Sequence, residues 1–148
     1  MKKWLLSFVG IALLAALLVG CGKASGGGIP EDAALKITGM VEKEVGWTED
    51  EVKDMETKDV ESTNSKGETD TYTGVSIQAL LDMAKPTSDA QTVVYVADDG
   101  YTGEVPLSDV LGCVDAIVSF RSKGGFSIVM PGFPGNVQVK GVTEIQIK

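Results

Sequence analysis

Three hydrophobic patterns follow one another along the chain. Trp4 to Leu18 is almost unbrokenly apolar, interrupted mainly by Ser7 and Gly10. Residues 22–32 are Gly-rich and polar, with three consecutive glycines. From residue 34 onward apolar residues recur in short alternating or helical runs separated by turn chemistry. Leu35 to Val41 begins in alternation and predicts a strand. Thr48 and Glu51 form a capping-box pair, predicting a short helix to about Met55. Strands are expected over Thr57–Asn64 and Thr69–Thr73, around a turn at Ser65–Glu68. Ser76 caps a helix with Ile77, Leu80 and Leu81 on one face, and Pro86 stops it. Thr92–Ala97 is β-branched and apolar, a buried strand. After the turn at Asp98–Tyr101 a short strand runs to Val105. Residues 106–112 predict a short helix with Leu107, Val110 and Leu111 inward. A hairpin pairs Ala116–Phe120 with Phe126–Met130 around Ser122–Gly125. Residues 131–136 read as an irregular loop. Val137–Lys148 supplies one or two strands, with Val142, Glu144 and Gln146 alternating against Thr143, Ile145 and Ile147. The sum is a strand-rich α+β domain with a mixed sheet and short helices.

The first run is short for a membrane-spanning helix, which needs roughly 20 apolar residues. With Lys2 and Lys3 before it, it has the form of a signal-peptide core. It ends in Leu18-Val19-Gly20-Cys21, which resembles the lipobox of bacterial lipoproteins. In that family the peptide is cut just before the Cys, whose thiol carries a diacylglycerol. The resemblance divides the chain into a signal peptide (1–20), a lipidated Cys21 with a flexible spacer (21–33), and one globular domain (34–148). Two acyl chains anchor stably where one does not. The expected place is therefore extracytoplasmic, held by Cys21 on the bacterial cell membrane or outer membrane. Lys-Lys in place of a twin-Arg motif points to export of an unfolded chain.

Charge narrows the partners. The chain carries a formal −8, and removing Lys2 and Lys3 leaves −10. Its one arginine is Arg121 and its lysines are scattered, so nucleic acid is not an expected partner. The absence of His removes His-based zinc, haem and Ser-His chemistry. Asp98, Asp99 and Glu104 crowd one turn region but lack calcium-loop spacing, and read as a solvated turn. With Cys21 acylated, Cys113 is the remaining thiol, and beside apolar neighbours it reads as a small buried hydrophobe.

Four segments in order resemble the molybdopterin-binding domain of the sulfite oxidase family. They are Leu35-Lys36-Ile37-Thr38-Gly39-Met40-Val41, Tyr72-Thr73-Gly74-Val75-Ser76-Ile77-Gln78-Ala79-Leu80-Leu81, Val94-Tyr95-Val96-Ala97-Asp98-Asp99-Gly100-Tyr101, and Val139-Lys140-Gly141-Val142-Thr143-Glu144-Ile145-Gln146-Ile147. The resemblance implies that family's mixed α/β fold, and a molybdenum–pterin cofactor supporting oxygen-atom transfer or related redox chemistry. It also implies a Cys ligand on the strand before the Tyr-x-Gly-Val segment. Here that strand reads Asp59-Val60-Glu61-Ser62-Thr63-Asn64, without Cys.

Candidate ligand-binding residues follow from that comparison. Ser62 and Asn64 lie near the missing metal ligand. Tyr101 ends the third segment. Phe133 and Asn136 lie in Pro131-Gly132-Phe133-Pro134-Gly135-Asn136, where the resembled family places a loop near its cofactor. That loop has two readings: a surface that stacks a ligand on Phe133, or a tight connection with Phe133 covering the core edge. No catalytic residue, metal ligand or cofactor is expected. The expectation is a metal-free binding or accessory module that meets a small molecule or an envelope protein. An active molybdopterin-dependent oxidoreductase and a purely structural envelope protein are the alternatives.

Overall fold

The computed structural model describes residues 28–148. The expected signal peptide, the lipobox-like segment with Cys21 and most of the expected spacer lie outside these residues. Nine strands and three short helices are described: β1 Leu35–Gly39, β2 Val45–Trp47, α1 Glu49–Lys53, β3 Thr57–Thr63, β4 Thr69–Ser76, α2 Ile77–Ala84, β5 Thr92–Ala97, β6 Thr102–Pro106, α3 Leu107–Gly112, β7 Ile117–Phe120, β8 Phe126–Val129 and β9 Lys140–Ile147. A 3-10 turn covers Gly135–Val137. The expected strand-rich mixed sheet with short helices is the observed fold.

The strands run β2-β1-β9-β8-β7-β4-β3, and β5 joins β9 while carrying β6. Only β1 and β9 pair in parallel. β9 is the hub. Its first half meets β8, its second half meets β1, and β5 runs antiparallel along most of its length. Leu35, Ile37, Tyr95, Phe126, Ile128, Ile145 and Ile147 are almost fully buried in the main core. α2 contributes Ile77, Leu80, Leu81 and Ala84 to that core, and α3 contributes Leu107 and Val110. A smaller cluster of Val60, Ile117 and Val129, with Tyr72 against it, forms apart from the main core.

Local chemistry sets the helix starts. The Thr48 hydroxyl accepts from the Glu51 N–H, and the Glu51 carboxylate accepts from the Thr48 N–H at 2.9 Å, so the capping box is complete. Ser76 accepts from the Ala79 N–H. α2 ends on Lys85, in a left-handed conformation, directly before Pro86.

Four expectations need correction. The first strand stops at Gly39, whose φ of 95° turns the chain before Met40. A three-residue strand, Val45–Trp47, pairs with β1 where no strand was expected. Leu111 is 49% exposed, because α3 ends one residue later and leaves only Leu107 and Val110 inward. Val142 is buried with Ile145 and Ile147, against the alternation expected over Val137–Lys148. Two register shifts explain it: one step on β5 or on β8 spans two residues on β9, at Thr143 and at Gly141. Gly141, at φ 73°, takes the backbone shape that the second shift needs.

Candidate functional site

The five residues proposed as ligand contacts fall into three places. Ser62 and Asn64 belong to the β3–β4 hairpin at the end of the main strand path. Ser62 is 7% exposed. Asn64 closes the turn: its Oδ1 accepts from the backbone N–H groups of Lys66 (2.9 Å) and Glu68 (3.1 Å), and its Nδ2 donates to the Glu68 carboxylate (2.8 Å). Such side-chain-to-backbone bonding is what makes Asn a turn residue. It also commits the amide to the chain itself.

Tyr101 and Asn136 come together. The Tyr101 hydroxyl donates to the Asn136 carbonyl at 3.0 Å, and the Tyr101 N–H donates to Asp99 Oδ1 at 3.0 Å. Gly103 makes this approach possible, since a Cβ there would stand 2.7 Å from the Asn136 carbonyl oxygen. Asp99 in the acidic turn is thus engaged in backbone bonding. Among the described residues no three His, Cys, Asp or Glu side chains are grouped to hold a metal ion.

Phe133 lies on a different side of its loop. It packs against the main core. With Pro131, the end of α3 and residues 113–115, it lines an open depression of about 480 Å³. Phe133 thus covers the core edge and also borders a depression. Neither Ser62 nor Asn64 lines that depression. Cys113 does, and it is half-buried at the C-terminus of α3. Beneath it lies Tyr95, fully buried, whose hydroxyl donates to Met130 Sδ at 3.4 Å. Burial, and then electrostatic interaction with nearby Cys113, push the Tyr95 phenol well above its ordinary range. Tyr95 is thus a neutral structural group.

Lys58 fixes this region to the sheet. Its ammonium donates to the Val114 carbonyl at 2.7 Å and pairs with Asp115 at 3.0 Å. Lys58 is the second residue of β3, and six residue steps, roughly 20 Å of extended chain, separate it from Asn64. Cys113 therefore stands by the start of β3, while the thiolate implied by the sequence resemblance belongs farther along it. The donor set does not fit a molybdenum–pterin group: β3 offers Ser62 and a committed Asn64, and the one described thiol has Asp109 and Asp115 as neighbours in the depression. Two carboxylates there oppose the phosphate of such a group.

Residues 26–148 match the family described as oxidoreductase molybdopterin binding domain, and the chain belongs to it. No curated protein matches it in sequence. Among solved structures it is similar to the sulfane dehydrogenase SoxCD from Paracoccus pantotrophus, with a TM-score of 0.67 and 19% identity. The similarity covers 78% of this chain but only 38% of that one. At that identity the likeness is one of fold.

The sequence reading missed Cys113 as a neighbour of Phe133. Its one available signal was Gly112-Cys113 at the end of a predicted helix, which does not say what packs opposite. It also missed Lys58, since an isolated Lys on a strand gives no hint of a tie to residues 114 and 115.

Proposed function

We propose that this protein is a lipid-anchored extracytoplasmic binding or accessory module, built on a molybdopterin-binding-domain fold and working without molybdenum. The observation that carries the reading is the β3–β4 hairpin. Its first strand, on which the family resemblance implies a metal thiolate, carries no Cys; Ser62 there is buried and Asn64 is bonded into the turn. A site deprived of its ligand keeps the fold but loses the chemistry. Support for the anchor comes from Lys2-Lys3, the apolar run and Leu18-Val19-Gly20-Cys21.

Two measurements test this. Elemental analysis of the protein purified from its native envelope is expected to give no stoichiometric molybdenum, and one molybdenum per chain would overturn the metal-free reading. Labelling with a radioactive fatty acid is expected to tag the wild-type chain and fail for Cys21→Ser. Equal labelling of the variant would overturn the anchor. A second reading, an oxidoreductase using Cys113, is favoured only by the shared depression of Cys113 and Phe133. It requires Cys113→Ala to abolish any redox activity of the native protein.

A further inference from the structure

Three neighbouring open depressions, each sharing one lining residue with the next, make up an interrupted groove beside α3 and β6. The Phe133 depression shares Ser108 with a second, of about 450 Å³, lined by Ala90, Gln91, Leu107, Ser108 and Leu111. The second shares Gln91 with a third, of about 470 Å³, lined by Thr92 and Glu104 to Pro106. Two exposed apolar side chains belong to this groove, Leu111 at 49% and Val114 at 65%. Three carboxylates line it, Asp109, Asp115 and Glu104, and no Lys or Arg does. Lys58 reaches Asp115 from the sheet, while Asp109 and Glu104 have no ion pair among the described residues.

We propose that this groove docks an extended protein segment in which Lys or Arg alternates with apolar residues. The proposal rests on the binding-module reading and names its partner's chemistry. Charge complementarity selects the occupant. A cation meets Asp109 and Glu104, which have no ion pair among the described residues, while Leu111, Val114 and Phe133 receive the apolar side chains. The depressions are open, so a compact small molecule in any one of them would remain mostly in water, whereas an extended chain can contact more than one. A second copy is disfavoured because the chain carries a net −8 and would bring acid to acid. An anionic bilayer is disfavoured for the same reason.

The test uses the purified full chain in detergent and a fluorescein-labelled nonapeptide alternating Leu and Lys about a central Phe. Two control peptides replace every Lys by Glu, or every apolar residue by Ser. Anisotropy is expected to show saturable binding of the basic apolar peptide alone. Asp109→Lys and Val114→Ser, both at exposed positions, are each expected to weaken it about tenfold or more. Glu61→Lys, an equal charge change at an exposed position of β3 that does not line the groove, is expected to leave it unchanged. Equal weakening by Glu61→Lys would reduce the effect to bulk charge and overturn the proposal, as would binding of both control peptides.

A photo-crosslinking side chain at position 114 in the living cell separates the two levels of inference. Capture there of a segment rich in Lys or Arg and apolar residues supports the proposal. Capture of a segment without Lys or Arg overturns the proposed chemistry but leaves the binding-module reading standing. No capture, together with no peptide binding, overturns both.

Discussion

The β3–β4 hairpin and the α3 groove are opposite solutions to the same problem, a polar surface on a shared sheet. In the hairpin, side chains are turned back on the chain. Asn64 bonds the turn backbone, the Thr63 and Thr69 hydroxyls meet at 2.8 Å, and Ser62 is buried. In the groove, Asp109 has no ion pair among the described residues, and Leu111 and Val114 face solvent. A segment that satisfies its own polar groups gains order and has little left to offer a ligand. A segment that leaves them unsatisfied contributes little to stability and keeps its capacity to bind. Function in this chain is therefore sought where packing is incomplete, away from the strand to which the family resemblance points.

The same substitution in the two regions gives the sharpest contrast. A Cβ on Gly74 would lie 2.2 Å from the Val118 carbonyl oxygen and 2.7 Å from the Ser119 Cα, all backbone that cannot yield cheaply. Gly74→Ala is expected to destabilise by roughly 3 kcal/mol, read as a lower urea midpoint. Gly112→Ala, with nothing within 4 Å of the added carbon, is expected to stay within about 0.5 kcal/mol of wild type. Equal effects would erase the distinction between a packed and an open region.

A smaller effect sharpens the account of the hairpin. Asn64→Ala removes two bonds to backbone N–H groups that water can replace, so a loss of about 1 kcal/mol is expected, with no change in the groove's peptide binding. A loss of binding would mean that the two regions are coupled.

Acid provides a third comparison, with the centre of the sheet. Burial raises the Glu144 carboxyl, but hydrogen bonds from Thr38 (2.6 Å) and Gln146 and the ion pair with Lys36 (3.3 Å) outweigh it, and the net direction is down from 4.5. A carboxyl lowered by folding adds stability above its unfolded value, and that stability is lost as pH falls through the folded value. Wild type should therefore lose stability below about pH 4.5 more steeply than Glu144→Gln, measured as the urea midpoint against pH. Parallel curves would remove Glu144 from the account. The smallest effect on stability is expected for Asp109→Asn in the groove, within about 0.5 kcal/mol by the same measurement.

Much of the fold was legible in the sequence because local chemistry and tertiary packing agree. The capping box of Thr48 and Glu51, the Ser76 cap, the Pro86 stop and the β-branched run Thr92–Ala97 each produced the element expected. Elements defined by contact with distant chain were not legible. Val45-Gly46-Trp47 has no alternation and becomes a strand only because β1 lies beside it. The inward Val142 depends on two register shifts that β5 and β8 impose. The groove was hidden for the same reason. Leu111 fits a helical face, and only the end of α3 at Gly112 decides that it remains outside. The pairing of Tyr101 with Asn136 crosses 35 residues, and neither residue carries a mark of the other.

The position of β9 as hub has a consequence for how the molecule comes into being. β1, β5 and β8 all wait for residues 140–147, and the bond from Thr38 to Glu144 closes a loop of 106 residues. The length-dependent entropy of closing such a loop is roughly 4 kcal/mol. A growing chain therefore holds exposed strand edges until its last strand arrives, and three pairings then form almost together. Refolding should be slow and all-or-none. A protease that removes β9 should separate β1–β2 and β5–β6 from the β8-β7-β4-β3 path, because no other strand joins these three groups.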